Sequence, residues 1–424
     1  MRRMNEAMPS KKEYSFWFVP VLSWIAYASA YLGRMNLSIT IPYLQNELGF
    51  SKAALGFLAS GFFISYAAGQ FINGILGDHF EVRKFITLGL LVAGISNLSF
   101  SLFRTFPLML LFWSLNGYFQ SMLWGPLLRT ISDNVPQNRQ YKATIIMSTA
   151  PATGRFLAYN LAGRLSVSHG WELAFIVPGL ILLSAAGLWY WGISKFRNLS
   201  AGATQISPPD RQEASHTSHL SGRKLFEFII QSKLYLFILL GILIGIVREG
   251  LTLWGPTIFI ELYLLDMART LSIISVLPII NLCFTFVCGM LYKKFHSNER
   301  YAIFLFLLTA IFSAFLLWQV RSTFLFVNIL FFFALLTSIH AANVMMTSYA
   351  PLSYKKEGRV SAAAGIIDSS FYLGAAIAGP IMGITAENFG WNGIFSGLLL
   401  ICTIAAIIPG AHVIRTRMRQ RAEL

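Results

Sequence analysis

Arg34-Met-Asn-Leu37-Ser38-Ile-Thr-Ile-Pro42-Tyr-Leu-Gln-Asn-Glu47 and Arg248-Glu-Gly-Leu251-Thr252-Leu-Trp-Gly-Pro256-Thr-Ile-Phe-Ile-Glu261 are two copies of one pattern, 214 residues apart. Each begins with arginine and carries leucine at the third following position, serine or threonine at the fourth, proline at the eighth and glutamate at the thirteenth. Both arginines stand inside apolar segments. A guanidinium at mid-bilayer costs about 2.5–3.5 kcal/mol on insertion scales and roughly 10–17 in simulations, and it does not shed its proton. A chain that bears this cost twice, at matching places in its two halves, is built to hold an anion between them.

Outward from these segments the chain is apolar throughout. It is 55% hydrophobic and 12% charged over 424 residues, which excludes an ordinary soluble domain. Apolar runs of about 20 residues fall near 15–40, 53–76, 84–103, 107–129, 141–165, 172–192, 234–260, 270–291, 301–320, 323–349, 360–386 and 392–413, hereafter spans 1–12. Runs of this length without alternating polarity predict helices, not barrel strands, so the expected fold is all-α with twelve membrane helices. Residues 1–14 form an N-terminal tail and 414–424 a basic C-terminal one.

The formal charge of +15 reflects topology and calls for no nucleic-acid partner. Of 33 Lys and Arg, only Lys52, Arg104, Arg164, Arg269 and Arg321 fall in loops on one side, and Arg34, Arg155 and Arg248 lie within spans. The remainder gather on the other side with both tails. By the positive-inside rule that side is cytoplasmic, so both termini are expected inside, and the expected location is a bacterial inner membrane. The run Arg415-Thr-Arg-Met-Arg-Gln-Arg421 anchors the end against anionic lipid. No cleavable signal is expected before residue 15. Cys283, Cys288 and Cys402 fall inside spans and read as packing residues, with no disulfide or metal spacing.

Residues 193–233, rich in Ser, Thr, Pro and Gln and carrying His216 and His219, cannot build a core and read as a linker. A short amphipathic helix is expected near its end, from Leu225 to Lys233. The linker divides six spans from six, at 15–192 and 234–413, and the halves repeat. Gly74-Ile-Leu-Gly-Asp78-His-Phe80 after span 2 corresponds to Gly289-Met-Leu-Tyr-Lys293-Lys-Phe295 after span 8. Gly170-Trp171 with Phe175 corresponds to Gly390-Trp391 with Phe395. Parallel repeats of this kind put a binding site at the midplane between the halves, and rocking of one half on the other exchanges its access.

Several side chains are candidates for that site. Helical spacing lines up Tyr27, Tyr31, Arg34 and Ser38 on one stripe of span 1. In span 4, Gln120 and Trp124 share a face at i, i+4 and are candidate contacts for the organic part of the ligand. Glu249 and Asp368 are the carboxylates well inside spans, and with Arg155 they are the candidates for coupling. Glu249 follows Arg248 directly and so leaves the helix about 100° away from it; on that ground it is not expected to neutralise Arg248. The pair Arg34/Arg248 suits phosphate, because each planar fork offers parallel donors to two oxygens. No nucleophile–base pair, phosphate loop or metal cluster suggests an enzyme or a cofactor.

Gly74-x-x-x-Asp78 followed by Arg83-Lys84 resembles the loop motif between spans 2 and 3 of the major facilitator superfamily, where it gates the cytoplasmic side. Across residues 15–413 the chain resembles that superfamily's organophosphate:phosphate antiporters, the carriers of glycerol 3-phosphate and hexose 6-phosphate. The resemblance is carried by Y-A-S-A-Y-L-G-R-M-N (27–36), F-S-K-A-A-L-G-F-L-A-S-G (50–61), G-Y-F-Q-S-M-L-W-G-P-L-L-R-T (117–130), R-E-G-L-T-L-W-G-P-T (248–257), G-R-V-S-A-A-A-G (358–365) and Y-L-G-A-A-I-A-G (372–379). It implies a monomeric carrier in which arginines matching Arg34 and Arg248 clamp phosphate, with tyrosines at the positions of Tyr27 and Tyr31. Where glycerol-phosphate carriers have further charged or titratable groups, this chain has Met35, Gln70, Pro151, Leu253 and Pro278. Most of their accessory charge network is therefore absent. Three functions follow as expectations: an exchanger of a small phosphorylated anion against phosphate, a sugar-phosphate sensor of the same family, or a proton-coupled carrier of organic carboxylates.

Overall fold

The computed structural model describes residues 11–201, 222–294, 298–320, 324–354 and 359–422. Among these every regular element is a helix. Spans 1, 2 and 3 are Lys11–Leu48, Lys52–His79 and Val82–Leu102. Span 4 is broken into Phe106–Gln120 and Trp124–Asn134. Span 5 runs Gln137–Leu157, through a wider turn at Ala158–Ala162, to Gly163–His169. Span 6 is Leu173–Ala201, which carries the helix past the expected boundary at 192.

After the expected short surface helix, observed at Gly222–Gln231, span 7 is Leu234–Tyr263. Span 8 comprises Met267–Ile274 and Leu277–Lys294, span 9 is Glu299–Val320, and span 10 is Leu325–Val344 continued by irregular turns to Tyr354. Spans 11 and 12 form Val360–Ala422, folded back at Gly390. Among the described residues, eight stretches are long and apolar enough to cross a membrane by composition alone, the last covering spans 11 and 12 together. Spans 1, 4 and 5 are left out of that set because they are broken or diluted by polar residues.

The repeat read in the sequence is a repeat of backbone geometry. Gly170 and Gly390, the glycines of the two Gly-Trp copies, both have positive φ, 98° and 65°, where an L side chain is strained. Gly49 and Leu264 take φ of 66° and 53° at the corresponding turns after spans 1 and 7. Within the halves, span 3 packs on span 6 as span 9 packs on span 12, and span 1 packs on span 5 as span 7 packs on span 11. Between the halves, span 2 meets span 11 and span 5 meets span 8, the same contact exchanged by a pseudo-twofold axis.

The contacts between halves gather at the end opposite the linker. A Cβ on Gly379 of span 11 would lie 2.5 Å from the carbonyl oxygen of Gly56 on span 2, so the two backbones touch. Ser60 Oγ donates to the Ala376 carbonyl, and the Ala53 N–H donates to Glu387 Oε1 at 3.1 Å. Lys52 Nζ meets Glu261 Oε2 at 2.8 Å, and Trp391 Nε1 donates to the same oxygen at 3.0 Å. Glu261 is the last residue of the repeated pattern. At the linker end, by contrast, the main packing of Trp124–Asn134 among the described residues is within the first half and that of Met345–Tyr349 within the second. The seam is shut at one end and open at the other.

Candidate functional site

Arg34 lies where the seam begins to open. Its carbon Cζ stands 5.4 Å from the ring centre of Tyr31, 5.1 Å from Phe62, 5.5 Å from Phe63, 4.7 Å from Tyr66 and 5.6 Å from Tyr372. Four of these rings belong to spans 1 and 2. Tyr372 comes from span 11 and packs at a tilt against Tyr66 at 4.7 Å, so the cage is made by both halves. Ring faces attract a guanidinium but leave its charge uncancelled. Arg34 is 7% exposed, its Nε has no hydrogen-bond partner, and no ion pair to it is found among the described residues.

Arg248 occupies the equivalent place on span 7 but differs in its partner. Its Nε and Nη2 contact Glu249 Oε1 at 2.7 and 2.5 Å. This overturns the expectation from helix geometry that Glu249 points away. The 100° between neighbouring Cα–Cβ bonds is bridged because both side chains are long and unbranched. Burial supplies the reason to bridge it: a carboxylate 4% exposed is costly without a partner. Thr252 Oγ1 caps the Arg248 carbonyl at 2.7 Å. On span 1 the matching Ser38 donates across the seam to the carbonyls of Thr252 and Leu253 at 2.9 and 2.8 Å. One turn beyond each arginine, spans 1 and 7 are therefore joined, and a small pocket there is lined by Arg34, Ser38, Phe62, Phe63, Glu249 and Thr252.

The other expected residues divide into two groups. Tyr31 is approached by both Arg34 and Arg155, with the Arg155 guanidinium 5.1 Å from its ring centre. Tyr27 sits edge-on to Tyr31 at 5.4 Å and against Trp124 at 4.8 Å. Asp368 on span 11 is solvent-accessible and lies within electrostatic reach of Arg248 and Arg34. Gln120 behaves otherwise. It is buried, and its Nε2 donates to Asn116 Oδ1 at 2.9 Å and to the Gly33 carbonyl at 3.4 Å. It does not share a helical face with Trp124, because the helix breaks at 121–123. Pro126 has no N–H to offer the carbonyl four residues back, which is the local cause.

At the open end, Arg83 donates to Ser194 Oγ at 2.8 Å, lies 3.2 Å from Glu81 and stacks 4.7 Å from the Tyr190 ring, tying span 3 to span 6. Lys84 lies 3.5 Å from Glu81 and is exposed. Gly74 and Asp78 are in the last turns of the span 2 helix, and their side chains lie outside the described residues.

Sequence reasoning missed several members of the site. Tyr66 and Tyr372 complete the Arg34 cage, and Gln70 donates to the Tyr66 hydroxyl at 2.9 Å. Tyr159, on the wide turn of span 5, and His340 of span 10 lie within the fields of Arg155 and Glu249. His340 Nε2 is 3.1 Å from Thr285 Oγ1. A lone histidine in the apolar run 335–346 was the available signal for the last. Among the described residues no cluster of His, Cys, Asp and Glu suits a metal ion.

Residues 23–364 match the Major Facilitator Superfamily. The chain belongs to that family. It is therefore a polytopic membrane transport protein and not an enzyme. It is 28% identical to a protein of Chlamydia trachomatis named a probable hexose phosphate transport protein, over 94% of this chain and 91% of the relative. A Bacillus subtilis glycerol-3-phosphate transporter is 26% identical over 91% of this chain and 89% of its own length. Among solved structures, a bacterial homologue of the human lysosomal transporter Spinster superposes with a TM-score of 0.74 at 16% identity, covering 93% of this chain and 96% of the other. That likeness is one of fold and agrees with twelve helices in two halves.

Proposed function

We propose that the chain carries a small phosphorylated organic anion, of the sugar-phosphate or glycerol-phosphate type, across a bacterial inner membrane in exchange for inorganic phosphate. It works as a monomer by alternating access, with Arg34 and Arg248 as the fixed points of the anion site. The observation that carries this reading is the placement of two pattern-matched arginines on spans 1 and 7 beside a seam that is closed beyond them and open before them. The names of the relatives supply the substrate type. If the basic linker side is cytoplasmic, the state described is open to the inside.

Exchange follows from charge. Closing the open end over Arg34 with no anion present would strip water from an uncancelled guanidinium, at a cost of several kcal/mol. A bound phosphate removes that cost through paired, charge-assisted hydrogen bonds. The empty carrier is thereby held back from reorienting and the loaded carrier released, which is what obligatory exchange requires. Asp368 and Glu249 are the groups through which a proton would otherwise be coupled.

The test is competition. In phosphate-loaded proteoliposomes, labelled phosphate uptake should be inhibited by hexose 6-phosphates or glycerol 3-phosphate and not by the unphosphorylated sugars or by hexuronates. Inhibition by hexuronates alone would replace this reading with the carboxylate symporter. Saturable sugar-phosphate binding without any uptake would replace it with the sensor.

A further inference from the structure

The two arginines near the seam that lack a contacting counter-ion are not the symmetric pair. Arg248 is held by Glu249 at two of its nitrogens. Arg34 and Arg155 make no ion pair and no hydrogen bond among the described residues, and the Nε of each is buried and unpartnered. Both stand over one ring, that of Tyr31, at 5.4 and 5.1 Å from its centre, so their separation is at most the sum of those two distances. Two guanidiniums gathered at one tyrosine, neither in contact with a carboxylate although Glu249 lies in the field of both, offer free donors to an anion. Arg155 comes from span 5 and looks across the seam: Glu249 on span 7 and His340 on span 10 both lie in its field.

We infer that Arg155 is a third anion-binding residue, and that it supplies the positive charge which Glu249 withdraws from Arg248. This rests on the proposed exchange of phosphate compounds. In the inward-open state the phosphate group is received between Arg34 and Arg155 over Tyr31, while Arg248 waits in its pair with Glu249. Glu249 is then a resident counter-ion, a built-in competitor for the anion. A purely structural Arg155 would instead be expected to spend its donors on carbonyls or a carboxylate, as Arg83 spends its own on Ser194 and Glu81. Stacking on Tyr31 orients the fork without consuming its hydrogen-bond donors.

The two residues are coupled by this assignment, and the coupling is measurable. Phosphate binding to purified protein is read by titration calorimetry for the unmodified chain, Arg155→Gln, Glu249→Gln and the double variant. Thermal unfolding of each sample shows that it is folded. Losing a charge-assisted contact should weaken phosphate binding about tenfold or more in Arg155→Gln, with Arg155→Lys in between. Glu249→Gln frees the Arg248 fork, so in the double variant most of the loss should be recovered.

Recovery in the double variant supports the inference. Additive effects, or Arg155→Gln binding as tightly as the unmodified chain, overturn it. If Arg155→Gln does not fold, the comparison of Arg155→Lys with Arg155→Lys/Glu249→Gln carries the same two outcomes. An unmodified chain that binds no phosphate overturns the functional reading itself, and this inference with it.

Discussion

Gly379→Ala adds one methyl group at the tightest point of the closed seam. Its carbon would stand 2.5 Å from the Gly56 carbonyl oxygen and 3.2 Å from the carbonyl carbon behind it. Real contacts of this kind need roughly 3.4 Å, so spans 2 and 11 must part by about 1 Å. Backbone cannot swing aside as a side chain can. The strain is therefore of the overpacking kind, about 1–3 kcal/mol. It falls only on the state in which the seam is shut, because opening that end separates the two glycines. The equilibrium between inward-open and outward-open forms should shift toward the latter by about 5–150-fold.

A cysteine at Leu253, which lines the pocket just beyond Arg34, reports this shift. Cys283, Cys288 and Cys402 are first replaced by serine. The rate of labelling by a membrane-impermeant maleimide added outside should then rise at least fivefold on introducing Gly379→Ala. An unchanged rate in folded protein would show that the Gly56–Gly379 contact does not govern access. A rise on the linker side only would show that the sidedness is reversed.

Arg34→Lys keeps the charge and loses the fork, so transport should fall at least tenfold with the protein still folded; near-full uptake would mean that positive potential alone suffices. Gln120→Ala should lower stability by about 1–3 kcal/mol by leaving the buried Asn116 Oδ1 unpaired, while the ranking of competing phosphate esters stays unchanged; a changed ranking would return Gln120 to the substrate. Glu261→Gln removes the partly exposed pair with Lys52, worth about 0.2–1 kcal/mol, and should raise Leu253→Cys labelling less than Gly379→Ala does. Collapsing the pH gradient with an uncoupler should leave phosphate counterflow intact. If uptake stops, and Asp368→Asn or Glu249→Gln abolishes accumulation while sparing counterflow, the carrier is a proton symporter.

The fold was legible because its repeat is written in residues with conformational consequences. Gly170 and Gly390 mark the same positive-φ turn in each half, and Ser38 and Thr252 meet across the seam at the matching fourth position. Arg34 and Tyr31 were found because charged and aromatic residues in an apolar span have few other uses. The misreadings arose where side-chain reach or a helix break mattered. Placing Glu249 by its angle on a wheel ignored that two long side chains can wrap the helix to meet. The stripe through Gln120 and Trp124 assumed an unbroken helix, although Pro126 was the visible warning. Tyr66 and Tyr372 lie on spans whose relation to Arg34 is set by tertiary packing, which period alone cannot supply.

Obligatory exchange is tested most directly by the uptake of labelled phosphate into proteoliposomes loaded with unlabelled phosphate, beside identical vesicles loaded with an impermeant anion. Rapid uptake into the first and almost none into the second is the expected result, with both abolished in Arg34→Lys/Arg248→Lys. Equal uptake into both sets of vesicles would show that the empty carrier reorients freely, and would contradict a site whose Arg34, without a contacting counter-ion, forbids it.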